Sequence, residues 1–106
     1  MKILLDTNAY SAFFRGHPGV VSRVRQAEEV LLSAIVVGEL LFGFRNGSRY
    51  ERNRRELQEF GHRFQIPVRV VDVHMAQIRG EHRQERVDGA AGTIAIDERP
   101  DGETMP

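Results

Sequence analysis

The stretch Ile3-Leu4-Leu5-Asp6-Thr7-Asn8 decides the class of fold. Its three consecutive apolar residues, without polar alternation, are typical of a short strand that is buried on both faces of a sheet. Asp6, Thr7 and Asn8 place polar side chains directly after that strand. Because open parallel sheets bind ligands at the carboxyl ends of their strands, the stretch predicts an α/β fold with a functional site at the sheet edge.

Strand and helix patterns alternate along the rest of the first 73 residues. Val30 to Ser33 and Val68 to Val73 are short apolar or β-branched runs that predict two further strands. Between the strands, apolar residues at helical spacing predict helices at residues 9–14, 20–27, 34–44 and 50–64. This alternation favours a central parallel sheet with helices on both faces.

The last of these helices has a start signal of its own. Ser48 is a suitable N-cap, and Glu51 follows three residues later, which is the spacing of a capping box. In such a box the two side chains bind backbone amides at the start of the helix. The sequence therefore predicts that this helix begins directly after Ser48.

The composition restricts the class of protein. With 106 residues the chain has room for one small domain, and 41% apolar residues are enough for a modest core. The lack of cysteine excludes disulfides, zinc–thiolate sites and cysteine nucleophiles. No apolar run approaches the roughly 20 residues that span a bilayer, so we expect a cytoplasmic protein without a membrane partner.

The composition changes after Val73. Residues 74–106 contain no leucine and no aromatic residue, and they can therefore supply little core. Their best strand candidate, Thr93-Ile94-Ala95-Ile96, is only four residues long and is flanked by glycine and acidic residues. We therefore expect a folded domain over residues 1–87, a poorly ordered tail over residues 88–106, and a sheet that is incomplete at the C-terminus.

Two carboxylates are the main candidates for chemistry. Asp6 follows the first strand and Glu39 lies on the helix after the second strand, so both are expected at the same edge of the sheet. Converging carboxylates repel each other unless a cation lies between them, and oxygen ligands favour Mg²⁺ or Mn²⁺. Such a metal can promote hydrolysis of a phosphodiester. The alternatives are that Asp6 is a helix N-cap or turn residue and that Glu39 is a solvated helix residue.

Two segments resemble the signatures of a known family. Residues 1–11 (MKILLDTNAYS) resemble the opening of a PIN domain of the VapC toxin type, and residues 32–43 (LSAIVVGELLFG) resemble the second signature of that family. The resemblance covers residues 1–73. It implies a three-layer PIN-like fold and a Mg²⁺-dependent endoribonuclease that forms the toxic half of a toxin–antitoxin pair. In that family four acidic residues gather at one end of a parallel sheet, and Asp6 and Glu39 match the first two.

The resemblance also bears on other polar residues. Asn8 matches a position at which the family often has a polar pocket residue, and Ser33 is expected to orient a neighbouring group; helix capping is the alternative for both. The family pattern is not legible after Val73. There Asp97 is the candidate for a third metal ligand, and the alternative is a charged residue in the tail. A shifted reading frame or a truncation after Val73 would account for the departure.

Partners are predicted from charge and from the resemblance. Arg45, Arg49 and Arg52 are candidates for contact with RNA phosphates or with an acidic partner, and a solvated helix face is the alternative. The family implies RNA as the substrate, a cognate antitoxin protein in a hydrophobic groove, and a homodimer or heteromeric complex. The groove is expected to be lined by Tyr10, Phe13, Phe14 and Phe44. The competing interpretation is a catalytically impaired PIN remnant that binds an antitoxin or dimerises without cleaving RNA.

Overall fold

The computed structural model describes residues 1–72, 83–87 and 91–97. Within these residues the chain forms five strands, β1 (Lys2–Leu5), β2 (Glu29–Ser33), β3 (Val68–Val71), β4 (Arg83–Arg86) and β5 (Thr93–Asp97). The four helices in the same part of the chain are α1 (Thr7–Phe14), α2 (Pro18–Gln26), α3 (Ala34–Arg45) and α4 (Tyr50–Phe64). The strands and helices predicted before residue 72 are confirmed, with shifts of a few residues at their ends. None of the described helices is long and apolar enough to cross a membrane.

All five strands lie in one sheet in the order β3-β2-β1-β5-β4. β1 is parallel to β2, and β2 is parallel to β3, as the alternation of strands and helices predicts. β5 pairs with the other edge of β1 in the antiparallel direction, and β4 pairs with β5 in the same manner. The parallel part of the sheet therefore brings the carboxyl ends of β1, β2 and β3 to one edge, where Asp6 directly follows β1.

Most of the described core lies on one face of the sheet. Ile3 and Leu5 of β1 point to this face, because successive side chains of a strand alternate between faces, and both are fully buried. All four helices contribute buried side chains to the same cluster, among them Phe60 of α4. A smaller cluster on the opposite face contains the buried residues Leu4 and Ala95. β1 thus carries core side chains on both faces, as its uninterrupted apolar run predicts.

Polar side chains set the starts of three helices. Asp6, His17 and Ser33 each accept a hydrogen bond from the backbone amide three residues later, at the starts of α1, α2 and α3. Pro18 is the first residue of α2, where its fixed φ suits the helix and its missing N–H is not needed. These caps fix the points at which the helices begin after each strand or turn.

The start of α4 differs from the prediction. The helix begins at Tyr50, and Arg49 occupies the cap position without a side-chain hydrogen bond. The predicted capping box of Ser48 and Glu51 is therefore wrong. Glu51 instead lies in the first turn, where its charge suits the helix dipole, and pairs with Arg54 at 3.0 Å.

Residues 93–97 contradict the expected tail. They form β5, in which Ile94, Ala95 and Ile96 are each exposed by 1% or less. The strand is one residue longer than β1, and it pairs with β1 in the antiparallel direction over four residue pairs. Residues 88–90 and 98–106 of the expected tail lie outside the described residues. The expectation that the segment adds no strand to the sheet is wrong.

β4 forms one edge of the sheet and is strongly charged. Its sequence, Arg83-Gln84-Glu85-Arg86, contains no apolar residue, so hydropathy does not predict it as a strand. Glu85 forms ion pairs with Arg23 of α2 and with Arg83. Charged edge strands resist pairing with other chains.

Candidate active site at the end of the first strand

Asp6 lies at the carboxyl end of β1 and caps α1. Its Oδ1 accepts a hydrogen bond from the backbone N–H of Ala9 at 2.7 Å. The N-cap alternative for Asp6 is therefore confirmed. The residue is half-buried, so this carboxylate supports the local structure in addition to any chemistry that it performs.

The second oxygen of the same carboxylate binds the start of β5. The backbone N–H of Thr93 donates to Oδ2 of Asp6 at 2.9 Å, and the backbone N–H of Asp6 donates to the Thr93 carbonyl at 3.2 Å. A carboxylate oxygen has two lone pairs, so each oxygen of Asp6 can still accept one further ligand. The carboxylate is thus fixed in orientation by two backbone amides.

Gly92 makes this close approach of β5 possible. Its φ of +114° lies in a region that L residues rarely adopt. A Cβ at this position would lie 2.6 Å from Oδ1 of Asp6 and 2.4 Å from the backbone nitrogen of Ala9. Only glycine therefore fits against the carboxylate and the start of α1. In the sequence, the pair Gly92-Thr93 before a short apolar run is the signal for this contact. By hydropathy alone, the same residues resemble part of a solvated tail.

Glu39 reaches the same end of the sheet from α3. The hydroxyl of Thr7 donates a hydrogen bond to Oε1 of Glu39 at 2.9 Å, and Glu39 is exposed to solvent. Because Thr7 directly follows Asp6, this bond places the Glu39 carboxylate beside the end of β1. The sequence does not single out Thr7, although it stands between Asp6 and Asn8 in the predicted site segment.

Ser33 and Asn8 have different roles from each other. Ser33 is 1% exposed, and its hydroxyl accepts a hydrogen bond from the backbone N–H of Val36 at 3.1 Å, which confirms the capping alternative. Asn8 is exposed and lies within the first turn of α1, where Asp6 already provides the cap. The alternative that Asn8 caps a helix is therefore wrong. Asn8 lies beside Thr7, and its role as a pocket residue stays a prediction.

Asp97 lies at the opposite end of the sheet. The antiparallel register pairs Asp97 with Lys2, the first residue of β1, whereas Asp6 follows the last residue. Four residues along an extended strand separate the two ends by about 13 Å. The structure therefore does not bring Asp97 to the carboxylates of Asp6 and Glu39, and the candidate third ligand is wrong for this site.

The two remaining carboxylates, Asp6 and Glu39, can supply only part of the ligands of a metal ion. Within residues 1–72, 83–87 and 91–97, no group of three or more His, Cys, Asp or Glu side chains is placed to hold a metal ion. Asp6 and Glu39 offer hard oxygen ligands with unused lone pairs. Mg²⁺ commonly keeps several waters and takes one or two protein carboxylates, so this donor set is compatible with it.

The three candidate arginines are spread over two helices. Arg45 lies in the last turn of α3, and Arg49 occupies the cap position of α4; both are exposed. Arg52 lies on α4 and pairs with Glu56 at 3.6 Å. Contact of these residues with RNA or a partner stays a prediction. The sequence signal for the pairing with Glu56 is its position one helical turn after Arg52.

The aromatic residues expected to line a groove are partly enclosed. Tyr10 and Phe13 are buried, whereas Phe14 and Phe44 are half-buried. Tyr10, Phe14 and Phe44 line a small cleft of about 200 Å³ together with Glu56. Burial, together with the nearby Glu56 carboxylate, raises the pKa of the Tyr10 phenol, so this phenol stays protonated. Phe14 and Phe44 are thus partly exposed beside this cleft, and its use as an antitoxin groove stays a prediction.

Comparison with known proteins agrees with the observed α/β architecture. No curated protein and no solved structure gives a significant match to the chain. The model of the PIN domain family matches residues 3–92, a range that contains Asp6, Glu39 and most of the sheet. Because this match spans most of the 106 residues, the chain belongs to the PIN domain family.

Proposed function

We propose that the chain is a Mg²⁺-dependent endoribonuclease and the toxin of a VapC-type toxin–antitoxin pair. PIN domains are generally nucleases, so family membership supports hydrolysis of nucleic acid phosphodiesters. The observation that carries the proposal is the bond from Thr7 to Glu39, because Thr7 directly follows Asp6 at the carboxyl edge of the sheet. This edge is the expected ligand site of a parallel α/β sheet.

Each residue of the site has a defined task in this proposal. Asp6 and Glu39 would hold Mg²⁺ or Mn²⁺, which when bound polarises a phosphoryl oxygen and lowers the pKa of a water. The amides of Ala9 and Thr93 fix the orientation of Asp6. Thr7 orients Glu39 through its hydroxyl. Exposed arginines would bind the RNA phosphates through their guanidinium groups.

The test is cleavage of RNA by Glu39→Gln in the presence of Mg²⁺ or Mn²⁺. The substituted amide keeps an oxygen that can accept the Thr7 hydrogen bond, so the fold should not change, but the charge that holds the metal is lost. We expect cleavage to fall by more than about 100-fold, the upper range for residues that only orient metal ligands. Glu59→Gln, which changes an exposed acid on α4, is the control and should cleave normally. Cleavage by Glu39→Gln at the normal rate would contradict the assignment.

Asp6→Asn is a less direct test of the site. Oδ1 and Oδ2 of Asp6 both accept backbone N–H groups, so an asparagine would face one of them with its own N–H₂. We therefore expect this variant to lose stability as well as cleavage. Its activity has to be compared at a temperature at which circular dichroism shows that the protein is folded.

A catalytically impaired PIN domain is the second candidate function. It is favoured by the position of Asp97 at the far end of the sheet. Within the described residues, the site then has two carboxylates. Isothermal titration with Mn²⁺ separates the two functions. Heat of binding that Glu39→Gln abolishes supports the nuclease, whereas no binding and no cleavage by folded protein support a protein that acts only through partners.

The proposed toxin role also implies a protein partner. We propose an antitoxin that binds next to α1, at the small cleft lined by Tyr10, Phe14 and Phe44, and that acts in the cytoplasm. Expression of the chain in bacteria should then slow their growth, and Glu39→Gln should remove the effect. Growth arrest that persists in Glu39→Gln would contradict toxicity through RNA cleavage.

A further inference from the structure

A second cleft lies at the opposite end of the sheet from Asp6. It has a volume of about 710 Å³ and is bounded by the C-terminal ends of α1 and α2, by α4 from Arg52 to Phe64, and by the residues that lead into β3. We call it the amino-end cleft and define it by Phe13, Phe14, Phe64, Arg25, Arg52 and Arg63. Its volume lies in the range of small-molecule and cofactor sites.

Aromatic rings form one wall of the amino-end cleft. The ring of Phe64 packs edge-on against Phe13 and Phe14, with centroids 5.0 and 5.9 Å away. Phe64 is nevertheless 38% exposed, although most large apolar side chains of this fold are buried. The cleft therefore presents an aromatic surface that its neighbours hold in place and that a planar group could stack on.

Three guanidinium groups surround this aromatic wall. Arg25, Arg52 and Arg63 are all exposed. Glu56 is the one acidic residue among the described lining residues, and its two oxygens pair with Arg52 at 3.6 Å and with Arg63 at 3.8 Å. The Arg63 guanidinium also lies 5.4 Å from the centre of the Phe64 ring. The described lining thus has a net positive charge, and two of its cations are held in position.

We propose that the amino-end cleft binds one or two nucleotides of single-stranded RNA, away from the carboxylates that cleave it. This inference rests on the proposed RNA substrate. A nucleotide carries a planar base and a phosphate in one unit, which matches an aromatic wall beside guanidinium groups. An acidic peptide would satisfy the arginines but would have no planar ring for Phe64.

The position of the cleft gives it a distinct task. One strand length, roughly 16 Å, separates the amino ends of β2 and β3 from the edge at which Asp6 lies. A nucleotide held in the cleft would therefore fix a part of the RNA that is not being cleaved. The cleft would influence which RNA is bound and how tightly, and the carboxylates would perform the chemistry.

Binding of a labelled RNA in EDTA tests the proposal without cleavage. The probe is a fluorescein-labelled, unstructured ten-nucleotide RNA, followed by fluorescence anisotropy at several salt concentrations. We expect Arg63→Gln and Arg25→Gln each to weaken binding at least fivefold and to reduce the slope of log K against log salt by about 0.7, the value for one lost contact to a single strand. Arg69→Gln, which removes an exposed charge from β3 on the opposite face of the sheet, should change Kd less than twofold.

A second variant tests the aromatic wall. Phe64→Leu keeps an apolar side chain but removes the ring, so it should weaken RNA binding about fivefold without changing the salt slope. Phe64→Tyr should restore the affinity. Thermal unfolding of each variant shows whether it is folded at the temperature of the assay. Equal binding by Phe64→Leu and the wild type would overturn the proposal, because an electrostatic surface would then suffice.

Two further outcomes decide between this inference and its alternatives. If a fluorescein-labelled decaglutamate binds as tightly as the RNA and shows the same dependence on Phe64, the cleft is a peptide site and the proposal is overturned. If Arg69→Gln weakens RNA binding as much as Arg63→Gln, the binding is not localised and the proposal also fails. Localised RNA binding without metal-dependent cleavage would support the cleft while contradicting the proposed nuclease.

Discussion

Gly92 and Asp6 form the contact on which the candidate site depends. The glycine lets the chain pass so close to α1 that Oδ1 of Asp6 would be 2.6 Å from an added Cβ. Asp6 in turn accepts the amides of both Ala9 and Thr93. A single half-buried carboxylate therefore joins β1, α1 and β5, and the local structure and the proposed chemistry share one side chain.

We expect Gly92→Ala to destabilise the protein. The positive φ and the short contacts to Asp6 and Ala9 together should lower the free energy of unfolding by about 3 kcal/mol. The measurement is urea unfolding followed by circular dichroism. Gly38→Ala is the control, because a Cβ there meets no atom within 4 Å and lies within α3, where alanine should stabilise by about 0.5–1 kcal/mol. Equal stability of both variants would contradict the close approach at Gly92.

The two candidate caps should respond differently to alanine. Ser33 is buried and accepts the amide of Val36, so Ser33→Ala should lower the free energy of unfolding by about 1–2 kcal/mol. Ser48 is exposed and is not the cap of α4, so Ser48→Ala should change it by less than about 0.5 kcal/mol. Urea unfolding of both variants measures the difference. If Ser48→Ala lowered the free energy of unfolding as much as Ser33→Ala, Ser48 would be the cap of α4 after all.

At the scale of elements, the sequence predicts the strands that have a local hydropathy pattern. β1, β2 and β3 are short apolar runs between amphipathic helices, so their existence and parallel order follow from hydropathy and connection length. β4 has no apolar residue, and the short apolar run of β5 is flanked by glycine and acidic residues, so neither has such a pattern. β5 pairs with the free edge of β1, and β4 pairs with β5, so both depend on tertiary contacts that residues 83–97 do not display by themselves.

Hydrogen exchange should show that β5 belongs to the core. β5 pairs with β1 on one side and β4 on the other, so its backbone amides face hydrogen-bond partners in both directions. We expect the amides of Ile94, Ala95 and Ile96 to exchange as slowly as that of Leu4, whereas the exposed turn at Ser48 should exchange much faster. Exchange of the β5 amides within seconds would support the tail and contradict the strand.

At the scale of the whole molecule, apolar surface remains exposed on α3. Phe42 is 71% exposed and Ile35 is 49% exposed, and their spacing of seven residues places them on one face of the helix. Glu39 lies between them on the exposed side of the same helix. The predicted association with another chain therefore has a candidate surface next to the proposed site.

We expect Phe42→Ser to weaken self-association. Loss of a buried phenyl group should raise the dissociation constant of a dimer by about tenfold or more, as measured by sedimentation velocity over a range of concentrations. Val70→Ser is the control, because Val70 is 57% exposed on the edge strand β3 and lines a cleft with Val37 and Leu41 of α3 rather than with Ile35 and Phe42. A dimer that Val70→Ser weakens and Phe42→Ser does not would place the interface at the sheet edge.

The order of strands has a consequence for synthesis of the chain. β1 is made before the other described strands but lies in the middle of their sheet, and its bonds to β5 join residues 87 positions apart, such as Asp6 and Thr93. At about 5–20 residues per second, a ribosome needs several seconds to supply this second partner. During that interval the apolar edge of β1 is open to other nascent chains. The soluble yield of the protein should therefore depend on how fast its last third is translated.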